Sequence, residues 1–176
     1  MKAVISLSGG MDSTCLLIHL LASGYDEILA VSFNYGQKHE FELCCAEATV
    51  DMLAEAGFNV KHHVVNLTSL KGLLGSALTD PTAVPEGHYA EENMKATVVP
   101  NRNIIFSSIV YAAALSIASR TRSQVDIALG IHSGDHAIYP DCRPESRAAA
   151  EYAFKISNWD SELVNYKAPF LELDKY

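Results

Sequence analysis

Between Leu7 and Thr14 the chain reads Leu-Ser-Gly-Gly-Met-Asp-Ser-Thr, and these residue types at this spacing suit the holding of an anion. Gly9 and Gly10 admit backbone N–H groups to a ligand without a Cβ in the way. Ser8, Ser13 and Thr14 add hydroxyl donors, and Asp12 adds a carboxylate. The flanking segments must do the positioning. Ala3 to Leu7 is an apolar, β-branched run, the pattern of a short buried strand. Asp12, Ser13 and Thr14 open an apolar helical run from Cys15 to Ala22. A strand, a glycine turn and a helix N-terminus aim N–H groups and the positive end of the helix dipole at one point. The plainer alternative is a strand-to-helix turn capped by Asp12.

The rest of the chain continues the alternation. Glu27–Phe33 reads as a second buried strand ending at Asn34-Tyr35-Gly36. A helix follows, with Phe41, Cys44, Cys45, Ala48, Met52 and Ala56 at three- and four-residue spacing as its apolar face. Glu47, Asp51 and Glu55 form its wet face, and Gly57 closes it. Asn59–Leu67 gives a third strand. Residues 68–99 carry Gly72, Gly75, Pro81, Pro85 and Gly87 with little periodicity, which predicts a long insertion covering a site. A helix runs from Asn103 to Arg120, a fourth strand from Val125 to Gly130, and a helix with Pro144 in its first turn reaches Ser157. Tyr166–Phe170 is the expected fifth strand. The reading is α/β: an open, mostly parallel five-stranded sheet with helices on both faces. In such sheets ligands sit beyond the carboxyl ends of the strands, at the switch point of strand order.

Composition narrows the function classes. The 176 residues predict a single domain with a real core, since 49% of them are hydrophobic. A net charge of −8 opposes binding to a phosphate backbone, so nucleic acid is not the expected partner. The four cysteines, Cys15, Cys44, Cys45 and Cys142, show no Cys-x-x-Cys spacing, and no signal peptide is visible, so a reduced, cytoplasmic protein is expected. The uncharged stretch from Asn103 to Ser119 is short for a membrane span and diluted by serines, and it reads as a buried core helix.

The first loop is neither a Walker loop, which needs Gly-Lys-Ser/Thr, nor Gly-x-Gly-x-x-Gly. Ser8-Gly9-Gly10-Met11-Asp12-Ser13 instead resembles the pyrophosphatase loop of the ATP pyrophosphatase superfamily. Three further segments sharpen the likeness: Tyr35-Gly36-Gln37-Lys38-His39, Val99-Pro100-Asn101-Arg102-Asn103, and the loop from His132 that ends Tyr139-Pro140-Asp141-Cys142-Arg143. In this order they closely resemble 7-cyano-7-deazaguanine synthases, from the first strand to about residue 170. The resemblance implies an adenine nucleotide alpha-hydrolase-like, Rossmann-like domain. It implies ATP with Mg²⁺ as cofactors, 7-carboxy-7-deazaguanine and ammonia as small-molecule substrates, no membrane or nucleic-acid partner, and a homodimer. Members of the family also carry a C-terminal four-cysteine segment for a structural Zn²⁺. Its ligands are missing from these residues, so a partial chain or a natural short form is expected.

The resemblance also implies roles. Leu7, Ser8, Gly9, Gly10, Met11, Asp12, Ser13 and Thr14 would hold ATP, with Asp12 placing Mg²⁺ and Asp12, Ser13 and Arg102 carrying catalysis. Tyr35, Gln37, Lys38, His39, Arg102, Asn103, Tyr139, Asp141 and Arg143 would meet the substrate. Arg102 and Lys38 suit a phosphate or carboxylate, Arg102 through its planar fork, with an ordinary ion pair as the alternative. Asp141 could accept from an amidine edge or merely cap the next helix, and Tyr139 could stack on a base or sit half-buried. His132 and His136, near Asp135 and Cys142, match no zinc spacing, and substrate contact or proton transfer is the preferred reading. His62 and His63 face opposite ways on a strand, and His19 is structural. The competing functions are another ATP pyrophosphatase-loop ligase or tRNA-modifying enzyme, and a non-catalytic nucleotide-binding module.

Overall fold

Five strands, β1 (Lys2–Ser6), β2 (Glu27–Asn34), β3 (Val60–Asn66), β4 (Val125–Ala128) and β5 (Val164–Lys167), pair side by side in the order β3-β2-β1-β4-β5, every pair parallel. The computed structural model describes residues 1–37, 41–70, 73, 98–132 and 139–173. Most of the expected insertion at 68–99, together with Lys38, His39, Asp135 and His136, lies outside the described residues. Thr68–Leu70, within that insertion, forms a single 3₁₀ turn.

Among the described residues, four α-helices connect the strands: α1 (Met11–Ala22), α2 (Phe41–Glu55), α3 (Arg102–Thr121) and α4 (Pro144–Ser157). Strand β1 is buried on both sides, which is why it has no polar alternation. Its Ala3 and Ile5 pack with Leu16, Leu17 and Leu20 of α1 and Ala46, Val50 and Leu53 of α2. Its Val4 packs on the opposite face with Val110, Tyr111, Ala114 and Ala118 of α3 and Ala150 of α4. The α/β sheet with helices on both faces is therefore as expected, and the order reverses between β1 and β4. The loops leaving these two strands meet at that switch point.

Three local expectations are corrected. The apolar face of α2 was expected at Phe41, Cys44, Cys45, Ala48, Met52 and Ala56, but Phe41 and Met52 are exposed and the stripe against the sheet is Ala46, Val50 and Leu53. The helix has two apolar stripes, and the one that begins at Ala46 lies against the sheet. The fifth strand begins at Val164 rather than Tyr166 and ends at Lys167, because Pro169 has no N–H to continue a ladder. Residues beyond it turn, with Leu171 N–H donating to Ala168 O at 3.1 Å. Helix α3 is long and apolar enough to cross a membrane by composition, yet it lies along the sheet. It buries one face, Ser107, Val110, Tyr111, Ala114 and Ala118, rather than its whole circumference.

Candidate active site at the carboxyl ends of the strands

The chain leaves β1 through Leu7, whose side chain is fully buried and whose N–H extends the ladder to Val31 O at 2.9 Å. The turn that follows closes on itself. Ser8 N–H donates to Ser13 Oγ at 3.1 Å, Gly10 N–H donates to Ser8 Oγ at 3.2 Å, and Ser13 Oγ–H donates to Gly10 O at 3.1 Å. The two hydroxyl oxygens, Ser8 and Ser13, stand 3.0 Å apart. Gly10 takes the N-cap position with no side-chain cap, so α1 begins at Met11, just ahead of the expected opening at Asp12, Ser13 and Thr14. Asp12, Ser13 and Thr14 thus lie in the first turn of the helix, and Asp12 is not its cap. A carboxylate there is favoured by the helix dipole and stays half-exposed.

The two glycines of the loop do different work. Gly9 sits at φ +84°, and a Cβ on it would lie 2.0 Å from Glu42 O and 2.9 Å from Ala46 N in the first half of α2. Its missing side chain admits a neighbouring helix, not a ligand. Among the described residues a Cβ on Gly10 would meet only Ser8 Oγ, at 3.3 Å, so this is the glycine whose open side suits an anion. From the other flank Gly130, just beyond β4, lies so close that a Cβ would come within 2.9 Å of Asp12 O and 3.3 Å of Ser13 Cα. The loop and the start of α1 are clamped between α2 and the end of β4. Two residues beyond Gly130, His132 is buried, with its Nε2 3.9 Å from Asp12 Oδ2, in reach of a charge interaction but not a hydrogen bond.

A second group assembles along the same rim, at the end of β2 and the start of α3. The Arg102 guanidinium carbon lies 5.9 Å from the centre of the Tyr139 ring and interacts with Tyr35. Burial opposes its charge, but Tyr35, Tyr139 and Asp141 outweigh burial and hold its pKa above the ordinary arginine value. Phe33 and Phe106 stack at 4.0 Å beneath Tyr35, whose ring is 5.6 Å from Phe106, giving this corner an aromatic floor. Asp141 accepts from Asn103 N–H at 2.9 Å and from Asn103 Nδ2 at 3.3 Å, and the same amide reaches Cys142 Sγ at 3.1 Å. Asp141 is therefore a cap, but for α3 rather than for the helix that follows it. Gln37 spends its amide on its own turn: Oε1 accepts from Tyr35 N–H at 3.0 Å and Nε2 donates to Phe33 O at 3.1 Å. Arg143 is exposed at the start of α4.

This rim therefore gathers the loop with Asp12, and Arg102 with Tyr35, Asn103, Tyr139 and Asp141. Leu7 is core, and Met11 is 63% exposed. Among the described residues, no group of three or more His, Cys, Asp or Glu could hold a metal ion. A cavity of about 540 Å³ lies away from this rim, between α1, α4 and β5, lined by His19, Tyr25, Arg147, Glu151, Asn165 and Lys167.

The family model of the queuosine biosynthesis protein QueC matches residues 2–176. The chain belongs to that family. A 7-cyano-7-deazaguanine synthase of Methanoregula boonei is 46% identical over 176 residues, which is 99% of this chain and 75% of that relative. A synthase of the same name from Hahella chejuensis is 46% identical over 171 residues, covering 97% of this chain and 68% of its own length. The chain is thus an enzyme of this family of synthases. A solved structure described as a predicted subunit of tRNA methyltransferase from Methanocaldococcus jannaschii superposes with a TM-score of 0.55 at 18% identity. It covers 99% of this chain and 71% of that one, and this likeness speaks for the fold alone.

For this QueC-family chain, sequence reasoning missed the close approach of Gly130 to Asp12 and the buried hydroxyl of Ser32. Gly130 follows a strand and precedes a polar loop, a place where glycine is ordinary, so only the contact with Asp12 reveals its use. Ser32 carried a detectable signal: a hydroxyl in the middle of an otherwise apolar strand has to find a partner once buried.

Proposed function

We propose that this chain uses ATP to convert 7-carboxy-7-deazaguanine and ammonia into 7-cyano-7-deazaguanine, releasing AMP and pyrophosphate. The observation that carries the reading is the Ser8–Ser13 loop, a self-closed turn at a helix N-terminus whose Gly10 side stays open and which has Asp12 beside it. A carboxylate is a poor electrophile because its oxygens leave badly. Transfer of AMP to one carboxylate oxygen, with pyrophosphate departing, makes that oxygen a leaving group. Ammonia then displaces AMP to give the amide. Transfer of a second AMP to the amide oxygen, followed by loss of AMP and the remaining protons, leaves C≡N.

The chain's own residues orient the reactants and meet the charge that develops. The N–H groups of the first turn of α1 and the Ser8 hydroxyl are the donors for the departing pyrophosphate, held in place by the hydrogen bonds that close the turn. Asp12 would hold Mg²⁺ together with phosphate oxygens and water. One half-exposed carboxylate fits the donor set such a site takes from protein, and the ion when bound would neutralise phosphate charge. Arg102, permanently charged and set between Tyr35 and Tyr139, binds the substrate carboxylate or the α-phosphate, while the tyrosines offer faces to the deazaguanine. Asp141 and Asn103 set the start of α3 from which Arg102 projects. The same reading takes the working form as a cytoplasmic homodimer acting on small molecules, with no zinc site assigned to these residues. The test is exchange of labelled pyrophosphate into ATP, with and without 7-carboxy-7-deazaguanine. Exchange only in the presence of the acid is expected. No exchange with the acid would sink the reading, and exchange without it would favour a different acceptor.

A further inference from the structure

We propose that Ser32 and His62 are positioning residues for the phosphate-holding loop, acting through the Leu7 carbonyl. Ser32 is fully buried in β2, and its Oγ lies 2.6 Å from Leu7 O and 2.7 Å from His62 Nε2. A serine has one hydroxyl proton, and a carbonyl can only accept, so Ser32 donates to Leu7 O. Its oxygen must then accept, which fixes a proton on His62 Nε2. The result is a directed chain, His62 Nε2–H to Ser32 Oγ–H to Leu7 O, reaching from β3 across β2 to the last residue before the loop.

Leu7 is consequently held at three points: a fully buried side chain, an N–H on Val31 O, and a C=O under the Ser32 hydroxyl. Because a peptide unit is planar, fixing the Leu7 C=O also fixes the direction of the Ser8 N–H in the same unit. That N–H is the donor to Ser13 Oγ that closes the turn. The backbone ladder alone would leave this peptide free to tilt just where β1 stops at Ser6. The chain also keeps its direction when the histidine ionises, since Nε2 carries a proton in the neutral tautomer deduced above and in the cation. Glu47 and Asp51 of α2 and His63 of β3 are the charged and titratable neighbours of His62, and they act on its Nδ1 protonation rather than on the Nε2 donor. Loop geometry is therefore insulated from pH at this point.

The inference rests on the reading of the loop as the ATP site. Its test compares KM for ATP and for 7-carboxy-7-deazaguanine in the full chain and in Ser32→Ala, Ser32→Thr, His62→Leu and His62→Gln. Ser32→Ala and His62→Leu should raise KM for ATP about tenfold, the scale of one hydrogen bond, with the KM for the acid within about twofold. Ser32→Thr, which keeps the hydroxyl, and His62→Gln, whose amide nitrogen replaces Nε2, should stay within about twofold for both. The ATP effect should be the same at pH 6 and pH 8. If Ser32→Ala does not fold, His62→Leu, on the half-exposed edge strand, carries the same comparison. Unchanged KM for ATP in these variants, or equal loss for both substrates, would overturn the proposal. A wild-type chain that binds no ATP would instead overturn the loop assignment on which it stands.

Discussion

The two halves of the candidate site are held together in different ways. The Ser8–Ser13 turn closes by hydrogen bonds between residues at most five apart and is then clamped by backbone contacts at Gly9 and Gly130. The Arg102 corner is made by side chains from segments more than thirty residues apart, as in Asn103 with Asp141, and depends on ring packing and one amide. The first can hold a strictly placed anion, because its donors do not move independently of the sheet. The second can adapt to a planar substrate, because its groups sit on three separate segments. In the proposed reaction two ATP molecules are used in turn on two different acceptors, and this division would let one phosphate loop serve both rounds while the acceptor changes from acid to amide.

Variants should separate the two regions, and the largest effect belongs to the clamp. Gly9→Ala forces a Cβ onto the Glu42 carbonyl at a left-handed residue, a collision between backbones that neither side can relieve by rotating a side chain. We expect a loss on the order of 3 kcal/mol, or roughly 6–12 °C in thermal unfolding of a chain of this size. A melting curve like that of the wild type would contradict the clamp. Next in size, Asp12→Asn should leave melting unchanged but lower adenylation by at least ~10²-fold, followed by pyrophosphate exchange. Arg102→Gln should raise KM for the deazaguanine acid roughly 10–100-fold, the scale of a lost charge-assisted bond. KM for ATP should move little. If ATP binding suffers instead, Arg102 belongs with the phosphates and the boundary between the two regions must be redrawn.

The smallest effect is a pH dependence of stability at the edge of the clamp. Burial pushes the His62 pKa below its ordinary value, and the pull of Glu47 and Asp51 does not restore it. A depressed histidine pKa favours the neutral ring in the folded state. The stability it contributes is present above the unfolded value near 6.5 and is lost as pH falls through the lower folded pKa. Between pH 7.5 and 5.5 the wild type should therefore lose slightly more denaturant resistance than His62→Gln. Equal losses would show that this histidine does not feel its burial.

What the sequence revealed follows the same division. The turn after β1 was legible because the hydrogen bonds that close it lie within eight consecutive residues, and the parallel sheet was legible from the alternation of strands and helices. The buried stripe of α2 was not, because two apolar stripes compete on that helix. Gly9, more than thirty residues away, is where α2 comes against the loop, backbone to backbone at Glu42 O and Ala46 N, and no spacing within the helix signals that contact. Asp141 as the cap of α3 was equally hidden, since caps are sought next to the helix they serve, not 38 residues along. The Ser32–His62 chain joins three strands and has no spacing of its own.

The central claim, that one fixed phosphate loop serves two successive activations, is tested most directly by counting products. Quenched reactions started from 7-carboxy-7-deazaguanine and ammonia should contain two AMP and two pyrophosphate for every nitrile. Reactions started from the amide should contain one of each and need no ammonia. ADP in place of AMP, or amide dehydration that survives Asp12→Asn while the first adenylation does not, would contradict it.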